Sequence, residues 1–431
     1  MNRKYYIIGG VILFLIIIIV VLLVATSGKK PQAAGPITLT WWKTFETSDN
    51  VQQLIADYEK THKNVTINYV KKDETTYEQD LLEAYASGTA PDILSIHNDW
   101  LPQEADKLAP DPTGDVRSYK TTFVDVAADD FIKDNQIFAV PMNVDVMALY
   151  YNKDILNSAN VLPPKTWSEL VSDVPKITQL TKPGTFTRSG IAFGTAANVN
   201  RAVDIMSLLM LQNGTQFYND SYSGATFDQT QTSAGGDSVN PGAVALQYYT
   251  QFADPAKTVY TWNARSDNNV DSFTQGRVGM MLSYFYMEPQ IQSKAPTLNW
   301  DVAPVPQPST DSVQINFANY WGEAVNKNSP NVQAAWDFLN FITSHDELSA
   351  YYKQHQLVSS RKDILQTQMS DPTLGVFAEE ALSAKSVYKK DADGFETVFS
   401  KMIDDVSQRG LTPEEAATNA AQQIDLQLQQ H

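Results

Sequence analysis

The stretch from Phe138 to Leu170 restricts the possible folds more than any other part of the chain. A short apolar strand runs into Pro141, and a polar–apolar step through Asn143 and Asp145 leads into a second β-rich run, Ala148 to Tyr151. Asn152, Lys153 and Asp154 read as a turn, Pro163 and Pro164 as a rigid connector. Thr166, with Glu169 three residues on, is the pattern of a capping box that starts a helix. Strand, crossing, strand and capped helix in this order predict a chain that leaves one α/β layer and founds another.

The flanks agree with that. Ile37 to Trp42 alternates apolar and polar residues, as a half-buried strand does. Val51, Leu54, Ile55 and Tyr58 fall on one helical face, with Ser48 or Asp49 as cap. Val65, Ile67 and Tyr69 alternate again, a helix is predicted over residues 75–86 before Gly88, and Ile93, Leu94 and Ile96 form a buried strand. This β-α-β-α-β order opens a doubly wound α/β fold. Further on, helices are predicted over Val203–Leu211, from Asn240–Pro241 to Phe252, from Ser329–Pro330 through Ile342, over Phe395–Arg409 and over Pro413–Leu428, with a strand over Val278–Ser283.

At the N-terminal side, Arg3 and Lys4 precede an uncharged, almost wholly apolar run from Tyr5 to Ala25. As a helix it would reach roughly 30 Å, a bilayer core. Cleavable signals have apolar regions of about 7–15 residues. The run therefore reads as an uncleaved anchor, with Ala25–Thr26–Ser27 the place where cleavage would otherwise fall. The chain contains no cysteine, which excludes disulfides, thiolate metal sites, cysteine nucleophiles and a lipid-modified cysteine tether. A formal net charge of −17 repels phosphate backbones, so no nucleic-acid partner is expected.

The Phe138–Leu170 segment resembles the mid-chain crossing of the extracytoplasmic solute-binding proteins of ABC importers, in the sugar-binding cluster around maltose-binding protein. Other segments are similar to the same family in the right order: Ser87–Asp99, Phe273–Tyr284, Asn299–Pro306, Ser329–Ser344 and Gln356–Ile364. Asn299–Pro306 looks like the family's strand returning through the hinge. Val358–Ser359 stands where the family has a proline, and Asn319–Tyr320–Trp321 where small glycines are common. The resemblance implies an α/β, two-lobed periplasmic-binding-protein fold of type II, with doubly wound sheets joined by a hinge; the apolar run, a departure from the family's usual lipid tether, adds one N-terminal transmembrane helix before them. The implied division is a tail over residues 1–4, an anchor over 5–26, a linker over 27–36, a first lobe from 37–143 plus 301–350, and a second from 144–300 plus 351–431.

In open α/β sheets, ligands bind beyond the carboxyl ends of the strands. The loops that meet this rule supply Trp42, Lys43 and Glu46; Asn98 and Asp99; Asn143 and Asp145; Tyr284 and Tyr286; and Trp321. Flat aromatics beside carboxylates and amides suit a sugar, whose C–H faces stack on rings and whose hydroxyls need paired donors and acceptors. Several of these residues have a plainer alternative: core packing for Tyr284, Tyr286 and Trp321, a helix cap for Asp99, a hinge salt bridge for Asp145; Trp41, on the opposite strand face from Trp42, reads as core. Trp167 and Trp336 sit on apolar helix faces and read as packing residues.

The expected function is an extracytoplasmic solute receptor that binds a sugar or oligosaccharide and delivers it to membrane ABC permease subunits by hinge closure, as a monomer with no cofactor and no catalysis. The histidines show no metal-ligand spacing, and Asp391-Ala-Asp393-Gly394 is a fragment of a calcium loop that reads as a turn. The alternatives are an extracellular carbohydrate-active enzyme, with Asp99 and Asp145 as acid and base, and a ligand receptor for a sensor kinase.

Overall fold

The computed structural model describes residues 35–232 and 236–429. The predicted anchor at Tyr5–Ala25 and most of the linker lie outside the described residues, among which no helix is long and apolar enough to cross a membrane.

Strand β1 (Ile37–Lys43) lies between β2 (Val65–Lys71) and β3 (Ile93–His97), parallel to both. The intervening helices α1 (Ser48–Thr61) and α2 (Tyr77–Ser87) make the crossovers that parallel strands need. Helix α1 buries Val51, Leu54 and Tyr58, each such side chain contributing about 1.5–3 kcal/mol. Its cap lies one residue earlier than predicted: the backbone N–H and hydroxyl of Thr47 both donate to Asn50 Oδ1, at 2.8 and 2.7 Å. Gly88 closes α2 at φ +70°, a backbone state that glycine adopts without Cβ strain.

The first sheet is completed by β4 (Leu108–Ala109), β5 (Ala139–Pro141) and a late strand described below. Between β4 and β5 lies a short helix, α3 (Asp125–Phe131). The second sheet begins with β6 (Asp145–Asn152). Asn152 does not turn the chain: its side chain caps a helix over Lys153–Ala159, accepting from the Ile155 amide at 2.9 Å. The capping box is present, with Thr166 Oγ1 accepting from the Glu169 amide and Glu169 from the Thr166 amide, and it opens α4 (Trp167–Ile177). Strands β7 (Gln179–Lys182) and β8 (Thr185–Ile191) follow, then α5 (Ala202–Gln212) and α6 (Pro241–Thr250). Strands β9 (Val278–Tyr284), β10 (Trp300–Ala303) and β11 (Asn316–Asn319) complete the middle of the chain. Later elements include β12 (Trp321–Asn326), α7 (Val332–Ile342), β13 (Ala384–Lys385), α8 (Ala392–Ser407) and α9 (Pro413–Gln429).

The first sheet runs β2-β1-β3-β12-β4, with β5 also on β12; the second runs β13-β11-β6-β9-β8-β7, with β10 also on β6. The chain crosses between them twice through one antiparallel ribbon. Gly322 pairs with Pro141 in the first sheet and Asn319 with Asp145 in the second. The return crossing is therefore at Tyr320. Of residues 301–319, assigned from the sequence to the first lobe, both strands, ending at Ala303 and Asn319, pair within the second sheet, and Trp300–Ala303 lies on β6 and does not return through the hinge. The reason is that β6 is long enough to hold β10 at its carboxyl half and β11 at its start, so the chain spends two strands there before leaving. Gly322 admits the Phe131 ring, which a Cβ there would meet at 2.5 Å.

A third segment braces the ribbon. Asn143 bridges Ser359, the Val144 amide donates to the Val358 carbonyl at 3.1 Å, and the Ser360 hydroxyl donates to the Pro141 carbonyl at 2.7 Å. On the far side of the first sheet, Trp41, Tyr58 and Phe338 pack edge to face. Trp336 and Trp167 are both buried, as their helix positions predict, and their indoles donate to the Ala109 carbonyl and to Gln212.

Candidate functional site

The carboxyl end of β1 sends Trp41 inward and Trp42 outward, as strand alternation requires. Trp41 has no exposed surface, and its indole N–H donates to Glu323 Oε2 at 2.7 Å. Trp42 is half-buried, with the Lys72 ammonium 4.2 Å from its ring centre. Lys43 turns into the lobe. Its Nζ lies 2.7 Å from Glu323 Oε1 and 3.2 Å from Glu46 Oε1, while the Ser95 hydroxyl donates to the other Glu323 oxygen at 3.0 Å. Burial favours losing the Lys43 proton, but Glu323 and then Glu46 outweigh it and raise the pKa. Lys43 and Glu46 are thus members of an internal ion network on β1 and β12.

At the end of β3, His97 reaches a residue of the opposite sheet. His97 Nδ1 is 2.6 Å from Asp99 Oδ1, and His97 Nε2 is 3.2 Å from Asn319 Oδ1. Burial lowers the His97 pKa, yet the Asp99 charge and hydrogen bond overcome this and raise it. The second carboxylate oxygen of Asp99 is buried with no hydrogen-bond partner. A buried carboxylate oxygen left so costs about 1–3 kcal/mol and is satisfied by whatever hydroxyl or N–H is brought to it. Beside it, Trp321 meets the rings of Phe45, Tyr77, His97 and Trp100, with centroids 5.2–5.9 Å apart. Phe45 is 49% exposed. Asn98 belongs to the hinge instead: its amide donates to Asp130 Oδ2 at 3.2 Å. Asp130 also accepts from Tyr320 at 2.6 Å and from Ser386 at 2.5 Å, joining both lobes. Burial pushes the Asp130 carboxyl up to about 7 against the pull of those bonds.

The opposite wall begins at Asp145. Its oxygens accept the Phe285 and Tyr286 amides at 2.7 and 3.1 Å, so it caps the 3₁₀ turn Phe285–Met287 after β9. Burial again raises the pKa to about 7, with the backbone bonds opposing. Tyr284 is fully buried and donates to Asp204 Oδ2 at 3.0 Å. Tyr286 is half-buried, and its phenol oxygen accepts from Arg201 Nε at 3.1 Å. Arg201 lies over both tyrosine rings, and Lys389 Nζ is 3.1 Å from Asp204 Oδ1. Burial alone would raise the Asp204 pKa, but Lys389 and Arg201 bring it below the usual carboxylate value.

The two walls meet where His97 Nε2 reaches Asn319 Oδ1 at 3.2 Å and where Asp130 joins Asn98 of the first to Ser386 of the second. Of the residues expected to touch a ligand, Asp99 and Trp321 are brought together around His97, Tyr286 lies beside Arg201, and Trp42 packs against Lys72 at the end of β1. Lys43 and Glu46 are enclosed in the first lobe, Asn98 and Asn143 are tied into the hinge, and Asp145 and Tyr284 shape the second wall from behind. With both its oxygens held by backbone amides, Asp145 is not placed as the acid or base of a hydrolase pair.

Arg201, Asp204 and Lys389 escape sequence reasoning because Asp204 and Lys389 are 185 positions apart. One signal did exist: Asp204 is the single acidic residue in the apolar run of α5, where a charge implies a buried partner. Among the described residues no cluster of three or more His, Asp or Glu could hold a metal ion.

Residues 53–375 match the family model described as bacterial extracellular solute-binding protein. A binding protein of Brucella abortus (strain 2308) is 25% identical over 321 residues, 73% of each chain. The galactooligosaccharide-binding protein of Bacillus subtilis (strain 168) is 20% identical over 328 residues, 76% of this chain and 73% of its own. Among solved structures, the sugar-binding protein MalE from Xanthomonas citri superposes with a TM-score of 0.76 at 20% identity, covering 91% of this chain and 97% of the other.

Proposed function

The chain belongs to the bacterial extracellular solute-binding proteins, and from that premise we propose that it is the receptor of an ABC import system, holding a sugar or oligosaccharide between its two lobes. The observation that carries this is the unpartnered, buried Asp99 oxygen beside the Trp321–Phe45 rings, opposite the Tyr286–Arg201 pair. An acceptor without a donor, next to exposed aromatic faces, fits a molecule that has both hydroxyls and C–H faces. The relatives named for sugars and galactooligosaccharides support the same ligand class.

The mechanism is hinge closure. A ligand touching both walls stabilises the closed form only by its differential affinity for it. The antiparallel ribbon around Asp145 and Asn319, braced by Ser359 and Ser360, is the element that bends. The closed receptor then docks on permease subunits, and ATP is hydrolysed elsewhere. Lobe I is residues 37–143 plus 321–350, and lobe II is the remainder from 144. The apolar run Tyr5–Ala25 tethers the receptor to the membrane with its lobes outside, in place of a lipid-bearing cysteine.

Calorimetry with a panel of neutral sugars tests the reading. Micromolar binding, about 8 kcal/mol, is expected for at least one of them. Tight binding of a peptide or polyamine with no heat from any sugar would overturn the ligand class.

A further inference from the structure

His97 joins the open carboxylate of the first wall to a strand of the second sheet. Its Nδ1 lies 2.6 Å from Asp99 Oδ1 and its Nε2 3.2 Å from Asn319 Oδ1, so both ring nitrogens face oxygens. An ionised carboxylate and an amide oxygen only accept, so each contact takes an N–H from the ring. A ring that donates from both nitrogens is an imidazolium. It has little room to turn away: the side chain is 16% exposed, with the Trp321 ring edge-on at 5.2 Å and that of Trp100 at 6.5 Å.

The surrounding charges agree with this. His97 feels Asp99 from its own strand end and Lys389 from the segment before α8. The neighbouring strands β11 and β12 set the Asn319 amide and the Trp321 ring against it. Burial first, and Lys389 with it, favour the neutral ring; the charge and hydrogen bond of Asp99, helped by the Asn319 bond, outweigh them and raise the pKa. Lys389 is itself matched by Asp204 at 3.1 Å. Asp99 and His97 are then a neutral pair whose open atom, Asp99 Oδ2, is an acceptor. A hydroxyl donates to that oxygen at no electrostatic cost. An ammonium in the same place meets the imidazolium charge at close range, and such repulsion in a partly buried site lowers affinity by about tenfold.

We infer that His97 is a specificity-determining residue: by holding a positive charge against Asp99, it fits the open oxygen to a hydroxyl of a neutral sugar and disfavours sugars that carry an ammonium group. This rests on the sugar-receptor reading and narrows its ligand class. His97 acts through Asp99 as a positioning residue and needs no contact of its own with the sugar.

The test is calorimetry at about pH 5.5, where a sugar amine and His97 both carry charge. The probes are maltose, galactobiose and mannobiose, each beside its amino-deoxy analogue. The intact chain is compared with His97→Asn, which keeps a donor at the Nδ1 position, and with His97→Gln, which keeps one at the Nε2 position; neither replacement can be charged. The intact chain should bind a neutral sugar about tenfold more tightly than its amino analogue, and this preference should shrink about fivefold to tenfold in both variants. A purely structural role would lower both affinities together and leave their ratio. Nuclear magnetic resonance of the intact chain gives a reading that needs no variant: the His97 ring, assigned by its contact with Trp321, should stay protonated above the usual histidine value. An amino analogue bound as tightly as its parent, a preference unchanged in both variants, or a neutral His97 ring at about pH 5.5 would overturn the inference and leave the sugar receptor standing. No heat from any sugar with the intact chain would overturn both.

Discussion

The two walls of the cleft differ in how far their polar groups are satisfied without a ligand. On the second wall, Asp204 is met by Lys389 and Tyr284, Arg201 by Tyr286, and Asp145 by two backbone amides. On the first wall, Asp99 spends one oxygen on His97 and leaves the other without a donor. The charged groups of the second wall are all met within it, although the buried hydroxyls of Ser207 and Ser283 are not; the carboxylate of the first wall is complete only when something donates to it. A receptor needs both kinds, one face that keeps its shape and one that gains on binding.

The broadest way to break this comparison is pH, because groups of both walls and the hinge titrate together. Asp130 and Asp145 are raised to about 7 and Glu380 to about 8, all chiefly by burial, so the folded state holds protons that the unfolded state has released above pH 4–5. Their contribution is fully present below the unfolded values and is lost as pH rises to about 8. His97, raised by Asp99, adds a term of the same sign, lost as pH rises through its folded pKa. The depressed Asp204 acts oppositely and costs stability only as pH falls below the usual carboxylate range. Urea denaturation should therefore show greater stability at pH 5 than at pH 8. Glu380→Gln should flatten that slope.

Among substitutions, Lys389→Met should cost the most stability. It leaves Asp204 buried with only Arg201, at 3.9 Å, as counter-charge. A loss of about 3 kcal/mol is expected in the urea midpoint analysis. Asp99→Asn should reverse the pattern. Sugar affinity should fall by about 2–3 kcal/mol, the worth of a hydrogen bond to a charged acceptor, with a smaller stability change than Lys389→Met. If Asp99→Asn binds normally and Lys389→Met abolishes binding without unfolding, the two walls have been assigned the wrong way round. Phe45→Ala should have the smallest effect. With its ring half-exposed, stability should hold within about 0.5 kcal/mol while affinity drops by about 1 kcal/mol, the worth of a lost aromatic contact.

What could be read from the sequence follows from distance along the chain. Period-2 and period-3.6 patterns placed the strands and helices, and the Thr166–Glu169 box marked a helix start to the residue. Strand alternation separated Trp41 from Trp42 correctly. Side-chain direction after a strand ends carries no such pattern: Lys43 reads as a cleft residue, but Glu323, 280 positions away, draws it inward. Asp145 has the position of a ligand carboxylate and serves as a backbone cap, because the amides that face it come from Phe285 and Tyr286. The return crossing at Tyr320 was misplaced for the same reason. Strands β10 and β11 both suit a buried edge, and only the length of β6 decides that they share it.

Closure of one wall on the other is the central claim, and small-angle X-ray scattering with and without a saturating oligosaccharide tests it most directly. Hinge closure predicts a smaller radius of gyration in the bound state. An unchanged radius at a sugar concentration that calorimetry shows to be saturating would contradict it.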